Sequence, residues 1–152
     1  MNLKDDSVVI DCTLGFGGHS SEILKRIKRG KLIAFDQDDE AIEKSRHKLN
    51  QIADNYIIVK SNFKNLKEEL KKINIDKVDG FLFDLGVSSP QFDEDVRGFS
   101  FHKDAKLDMR MDTTKTFSAY NVVNEYSYEE LVYILNRLFL YPIQRNKQRQ
   151  MQ

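Results

Sequence analysis

Four short apolar runs alternate with amphipathic stretches between Val8 and Asp84, and this rhythm constrains the fold more tightly than any other feature of the chain. The first run, residues 8–14, is rich in Val and Ile rather than alternating, as suits a strand buried on both faces. Runs at residues 31–35, 56–59 and 78–83 follow it. A helix is expected from about Ser20, with an apolar stripe of Ile23, Leu24 and Ile27 and with Glu22 in its first turn. Its last turn would hold Lys25, Arg26, Lys28 and Arg29, and Gly30 stands where a C-terminal cap belongs. Asp38 is placed to cap a second helix, which buries Ala41, Ile42, Leu49 and Ile52. Asn62 is placed to cap a third, with Phe63, Leu66, Leu70 and Ile73 on one face. Strands alternating with helices in this way predict an α/β fold with a parallel sheet, and right-handed crossovers give the strand order 3-2-1-4. Ligands bind such sheets at the carboxyl ends of the strands. Gly15 to His19, Asp36, Asn62 with Phe63, and Asp84 all emerge at that edge.

At 152 residues, 40% apolar and 32% charged, the chain has one domain's length and enough apolar side chains for a core. Lys+Arg and Asp+Glu both total 24, and the balance holds on either side of Pro90, so any RNA contact would have to come from a local patch. The basic cluster at residues 25–29 reads as helix surface matched to the helix dipole rather than as an RNA site. The single cysteine, Cys12, lies in the first run, which leaves no disulfide framework and no cysteine-based metal site and points to a reducing, intracellular compartment. His19, His47 and His102 are scattered, and no metal is expected. The N-terminus has no apolar signal core and the apolar run at residues 131–135 is too short to cross a bilayer, so a cytoplasmic location without membrane contact is expected.

After Pro90 the rhythm stops. Residues 91–116 carry no strand or long helix pattern and read as an ordered functional loop or the opening of an inserted region. Ser127-Tyr-Glu-Glu130 is a capping box that opens a helix with Leu131, Ile134, Leu135 and Leu138 on one face. Residues 141–152 form a polar stretch expected to be disordered. The division expected is therefore residues 1–91 as a ligand-binding half, 92–140 as the start of an insertion, and 141–152 as a tail.

Gly15-Phe-Gly17-Gly18-His19, with Asp36 at the end of the next strand, is a nucleoside-binding arrangement, because a carboxylate about 20 residues beyond the glycines can accept both hydroxyls of a ribose. The nicotinamide version wants a third glycine where Ser20 stands, which disfavours a nucleotide-dependent oxidoreductase. On these residues alone a nucleotide, a methyl-donor cofactor and a merely structural tight turn all stay open. Asp84-Leu-Gly-Val-Ser-Ser-Pro90-Gln91 then puts a second carboxylate across the pocket, where a transferable group would lie.

With Asp11-Cys-Thr-Leu-Gly-Phe-Gly-Gly-His19, Phe35-Asp-Gln-Asp38, Ser61-Asn-Phe63, Asp84 to Gln91, Arg97-Gly-Phe-Ser-Phe101 and Leu107-Asp-Met-Arg-Met-Asp112 in this order, the chain resembles the RsmH (MraW) family. These are Rossmann-like, class I S-adenosylmethionine-dependent methyltransferases that methylate N4 of a cytidine in small-subunit ribosomal RNA. The resemblance runs from about residue 8 to residue 138. It implies S-adenosyl-L-methionine as cofactor, with Gly17, Gly18, His19, Asp36, Phe63, Asp84 and Gln91 contacting it, and ribosomal RNA or the assembled small subunit as partner. It also favours substrate-loop roles for Arg97, Asp108, Arg110 and Asp112 over a surface ion-pair network. Phe99 and Phe101 are candidates either for stacking on an unpaired base or for anchoring the loop.

The chemistry follows from the reacting groups. Methyl transfer from a sulfonium is an in-line displacement, so positioning is the enzyme's main contribution. The lone pair of the cytosine amine is delocalised into the ring. Acceptors on its N–H groups, such as Asp84 or main-chain carbonyls around Ser88, Ser89 and Pro90, would draw it towards a nucleophilic geometry. Methylation at ring carbon C5 would need a cysteine nucleophile, and Cys12 is expected inside the first strand.

Members of that family are much longer, with a segment before the first strand and further strands after the insertion. Residues 139–152 look unrelated to it, and a truncated, frame-shifted or split reading frame is expected. Without further strands the fourth strand would be an open edge, and marginal stability or self-association is expected from it. The competing reading is a non-catalytic remnant that binds S-adenosylmethionine or RNA without turnover.

Overall fold

The computed structural model of the chain describes residues 1–100, 102 and 104–137, without the side chains of Ser89 and Pro90. It divides into two compact units. One holds Met1–Gln91 with Met111–Thr114, the other Phe92–Arg110 and the described residues from Lys115 on.

The first unit is a four-stranded parallel sheet in the order β3-β2-β1-β4, as the crossover rule requires. Its strands are β1 (Val8–Asp11), β2 (Lys31–Asp36), β3 (Tyr56–Lys60) and β4 (Gly80–Leu82). The connecting helices are α1 (Gly18–Leu24), α2 (Asp39–Asn50) and α3 (Leu66–Lys72), the last preceded by a 3-10 turn at Phe63–Asn65. Leu32, Ile33, Ala34 and Phe35 of β2 are fully buried, which is why that strand reads as one apolar run. Alternate residues feed two cores. Val9, Leu32 and Ala34 pack with Ile23, Leu24, Ile27 and Leu49 on the α1 and α2 side. Ile10, Ile33 and Phe35 pack with Leu66, Leu70 and Ile73 on the α3 side.

Asp38 caps α2 by accepting from Glu40 N–H at 3.1 Å, and Asn62 accepts from Lys64 N–H at 2.9 Å at the 3-10 turn. Three local expectations are corrected. Helix α1 ends at Leu24, so the basic residues lie beyond it and do not complement its dipole. The carboxylate of Asp5 accepts from Lys28 N–H and pairs with the Arg29 guanidinium, and its carbonyl accepts from Arg29 and Gly30 N–H, so this acidic residue gathers the turn. Gly30 is no helix cap. A Cβ there would stand 2.0 Å from Ser7 O, and the glycine permits close packing against the strand's approach. Phe63 leaves the core face of its helix, because the 3-10 turn rotates it away from Leu66, Leu70 and Ile73; it is 37% exposed. Strands β1 and β4 are also shorter than their apolar runs, and Cys12 lies just past β1.

Helix α4 (Ser89–Asp93) begins in the first unit and ends in the second, where a 3-10 turn (Asp95–Arg97) precedes α5 (Ala119–Glu125) and α6 (Tyr128–Leu135). The Ser127 capping box is present, with Ser127 N–H donating to Glu130 and Glu130 N–H to Ser127 Oγ. A helix absent from the sequence reading, α5, starts where Asn121 Oδ1 accepts from both Ser118 N–H and Oγ. Leu138, Phe101 and residues 141–152 lie outside the described residues.

Candidate functional site

The site forms where the strand order changes direction, between β1 and β4. On the β2 side the chain stays paired past the end of β1, with Leu14 N–H donating to Phe35 O at 2.9 Å. On the β4 side the last main-chain bond is from Cys12 N–H to Leu82 O at 2.9 Å. The strands then part, as expected at the switch point of an open α/β sheet, and a crevice of about 680 Å³ opens above them.

The glycine turn closes one wall. Gly15 and Gly17 both take positive φ, +50° and +73°, which side chains rarely adopt. The Asp36 carboxylate holds the turn from the neighbouring strand by accepting from Gly15 N–H at 2.8 Å. Its other oxygen accepts from Gln37 and Asp38 N–H at 2.7 and 3.0 Å, so the group is fixed at the crevice edge with about one lone-pair site left, on the oxygen that takes Gly15 N–H, to accept from a ligand. A Cβ added at Gly18 would meet nothing within 4 Å, so the wall there is open to a close-lying ligand. His19 follows, and its Nε2 lies 3.2 Å from Asp84 Oδ2.

Six of the seven residues expected to contact the cofactor, Gly18, His19, Asp36, Phe63, Asp84 and Gln91, line this one crevice. Gly17 faces away from it, towards Ser45 and Leu49 of α2. Phe63 sits edge-on to Phe83, with ring centroids 5.6 Å apart. Gln91 is buried, and its carboxamide is engaged on both sides: Nε2 donates to Asp38 Oδ2 at 2.7 Å and Oε1 accepts from Ser88 N–H at 3.0 Å. It thereby ties the loop after β2 to the loop after β4. The main chain of Ser89 and Pro90 opens α4, and their side chains lie outside the described residues.

Sequence reasoning passed over two further groups. Asp11 is fully buried and its carboxyl is pushed above the ordinary carboxylate range by burial, against hydrogen bonds from Ser20 and Thr13 that work the other way. Thr13 lines the crevice and accepts from Asp84 N–H at 2.8 Å. The signal available was the pair of polar residues flanking Cys12 in an otherwise apolar run. Burial pushes the Cys12 thiol up to about 11, so this lone cysteine is protonated near neutrality and is no nucleophile. Among the described residues no cluster of His, Cys, Asp or Glu is arranged to hold a metal.

The loop residues form their own assembly in the second unit. Asp108 and Arg110 pair through two bonds of 2.8 and 2.6 Å, which hold the Asp108 carboxyl below its usual range. Arg97 is buried and donates to Arg110 O at 3.1 Å. Gly98 has φ +67°, and a Cβ there would stand 2.4 Å from Lys106 O. These residues hold the loop's shape. Asp112, in the first unit, accepts from Thr114 N–H and Oγ1.

The arrangement suits a ligand that has hydroxyls for a carboxylate to accept from, a flat ring and a cationic group. The donor and acceptor set fits a sulfonium nucleoside: Asp36 at one end, Asp84 with His19 at the other, and Phe63 between strand ends. No helix among the described residues is long and apolar enough to cross a membrane.

Comparison with known proteins agrees. The chain is 58% identical over 133 residues to the ribosomal RNA small subunit methyltransferase H of Mycoplasmopsis synoviae, covering 88% of this chain and 44% of that protein. The corresponding Exiguobacterium sibiricum protein is 55% identical over 135 residues, covering 89% and 43%. The chain thus spans less than half the length of these curated relatives. A crystal structure from Clostridium thermocellum, described as a presumed rRNA-methylase, superposes with a TM-score of 0.50 at 26% identity, over 56% of this chain and 45% of that one. The model of the MraW methylase family matches residues 1–147, which corrects the expectation that the chain from residue 139 on is unrelated to the family. Sheet order, glycine turn and sequence match agree, and the chain belongs to the MraW methylase family.

Proposed function

We propose that this chain carries the S-adenosylmethionine-binding part of a methyltransferase acting on N4 of a cytidine in small-subunit ribosomal RNA. The observation that carries the reading is the convergence of Gly18, His19, Asp36 and Asp84 on one crevice at the β1/β4 junction of a MraW-family chain. Asp36 would accept from a ribose hydroxyl, and His19 with Asp84 would face the methionine end; Phe63 and Gln91 would close the pocket. When bound, the cofactor supplies the electrophilic methyl group. The chain's contribution is to hold that group and, through Asp84 and the main chain of residues 88–90, to accept from the cytosine amine and orient it. The protonated Cys12 thiol supports attack by the amine over attack at C5, which would need a thiolate. Partner and location follow from the substrate: the small subunit or its RNA, in the cytoplasm.

A second reading is cofactor or RNA binding without turnover. Calorimetric titration with S-adenosylhomocysteine and with NAD tests the shared premise: saturable binding of the first and none of the second is expected, and the reverse would overturn it. Tritium transfer from labelled S-adenosylmethionine to unmodified small subunits then separates the two readings. Strand β4 pairs with β1 alone among the described strands and exposes Phe81 and Phe83, which supports self-association through that edge. Sedimentation across a dilution series should show a monomer and a larger species in exchange; one concentration-independent monomer would refute it.

A further inference from the structure

Behind the crevice the hydrogen bonds close into a circuit that the roles above leave unused. Asp11 accepts from Ser20 Oγ at 2.7 Å with one carboxylate oxygen and from Thr13 N–H at 3.0 Å with the other. The Thr13 hydroxyl in turn accepts from the main-chain N–H of Asp84 at 2.8 Å. Asp84 Oδ2 lies 3.2 Å from His19 Nε2, and Ser20, the next residue, returns the circuit to Asp11.

The position of Thr13 gives the circuit its consequence. The β1–β4 ladder ends with Cys12 N–H on Leu82 O, so Asp84 N–H is the first donor past the point where the strands part. A side-chain oxygen replaces the main-chain carbonyl that a continued strand would have offered. From Phe83 to Val87 the loop is exposed, and the Asp84 carboxylate stands largely in solvent at the crevice lip. Thr13 is itself held through its main-chain N–H by a carboxylate with no exposed surface, so the tether is anchored in the core.

We propose that Thr13 is a positioning residue for Asp84. Its hydroxyl, carried by a residue whose main chain is held by the buried Asp11, sets where the Asp84 carboxylate stands across from the glycine turn. A Val at position 13 has the same shape and no acceptor; Asp84 N–H then turns to water and the carboxylate loses its fixed place. The consequence for ligand binding rests on the cofactor reading above, whereas the tether itself does not.

Two measurements on the full chain test this. The first is amide hydrogen exchange at Asp84 without ligand: the wild-type amide is protected, Thr13→Val exchanges about tenfold faster, and Thr13→Ser restores protection, the scale of one net hydrogen bond. An unprotected wild-type amide overturns the proposal. The second is the affinity for S-adenosylhomocysteine, expected about tenfold weaker in Thr13→Val and within about twofold of wild type in Thr13→Ser. In an Asp84→Ala background Thr13→Val should add nothing further, because its effect passes through Asp84. Equal affinity of wild type and Thr13→Val, or an undiminished effect without Asp84, overturns it. Thr13→Ala replaces the Val variant if that chain does not fold. Wild-type protein that fails to bind S-adenosylhomocysteine sinks the cofactor reading, and the exchange data still decide the role of Thr13.

Discussion

Replacing Gln91 by Glu tests the loop tether with almost no change of shape. In the native chain Nε2 of Gln91 donates to Asp38 Oδ2 at 2.7 Å while Oε1 accepts from Ser88 N–H. Gln91→Glu keeps the second bond and sets two carboxylates against each other in the first. Unscreened by a proton, two charges at that distance would repel by about 6 kcal/mol at an effective dielectric constant of about 20. The pair avoids this by taking up one proton. Asp38 also caps α2 through Glu40 N–H, which favours its charged form, so the new Glu takes the proton. Protonating a carboxyl of ordinary pKa, about 4.3, costs about 3.7 kcal/mol at pH 7, and this bounds the loss. The folded-state pKa is raised above the unfolded value. The destabilisation is therefore absent below about pH 4.3 and grows by about 1.4 kcal/mol per unit as pH rises towards the folded pKa. Urea denaturation of wild type and variant between about pH 4.5 and 8 reads this slope directly. Gln91→Ala should lose on the order of 2 kcal/mol at every pH, from two hydrogen bonds. A stability difference for Gln91→Glu that is the same at both ends of the range would show that Gln91 and Asp38 are not apposed, and the tether argument would fail.

The glycine turn separates packing from binding. Gly17→Ala should cost about 1–3 kcal/mol in denaturation, since φ is +73° and its Cβ would stand 3.2 Å from that of Ser45. Gly18→Ala should leave the melting temperature unchanged, because its Cβ meets no protein atom within 4 Å, yet weaken S-adenosylhomocysteine about tenfold by intruding on the ligand. Loss of fold in the second variant, or unaltered affinity, would contradict the cradle. With its thiol pushed up to about 11 and only 2% exposed, Cys12 should react with a disulfide reagent near pH 8 at least about a hundredfold more slowly than free cysteine until the chain is unfolded.

The sheet order was legible because it follows from long apolar runs and the handedness of crossovers, neither of which depends on side-chain detail. Asp38 and Ser127 were legible as caps for the same reason: a capping side chain reaches only to its own first turn. What escaped the sequence is what a distant residue decides. Helix α1 stops at Leu24 because Asp5, far back in the chain, gathers the N–H groups of residues 28–30, and no pattern within the helix announces it. Phe63 continues the spacing of Leu66, Leu70 and Ile73, yet a 3-10 turn carries it to Phe83. Gln91 could be placed at the crevice from its motif, but its bond to Asp38 spans 53 residues. Helix α5 was passed over because Asn121 supplies the reciprocal bond usually signalled by Glu or Gln.

These non-local bonds share a cause in the topology. Where β1 continues beside β2, main chain meets main chain and residue identity matters little. Where β1 and β4 part, main-chain donors outlast main-chain acceptors, and side chains take their place: Thr13 for Asp84 N–H, and Gln91 for Ser88 N–H in the loop beyond. The gap that makes room for a ligand thus also makes the loops around it depend on particular side chains. The cores on the two sheet faces do not share that dependence, since they are closed by interchangeable Leu, Ile and Val. Substitutions in the cores should therefore act on stability first, and substitutions in the side-chain tethers on ligand geometry first. Asp11 belongs to the second class despite lying in the core. Burial raises its pKa, so the charged carboxylate is a cost to the fold near neutrality, and what it supports is the Thr13 main-chain N–H and the Ser20 hydroxyl behind the crevice.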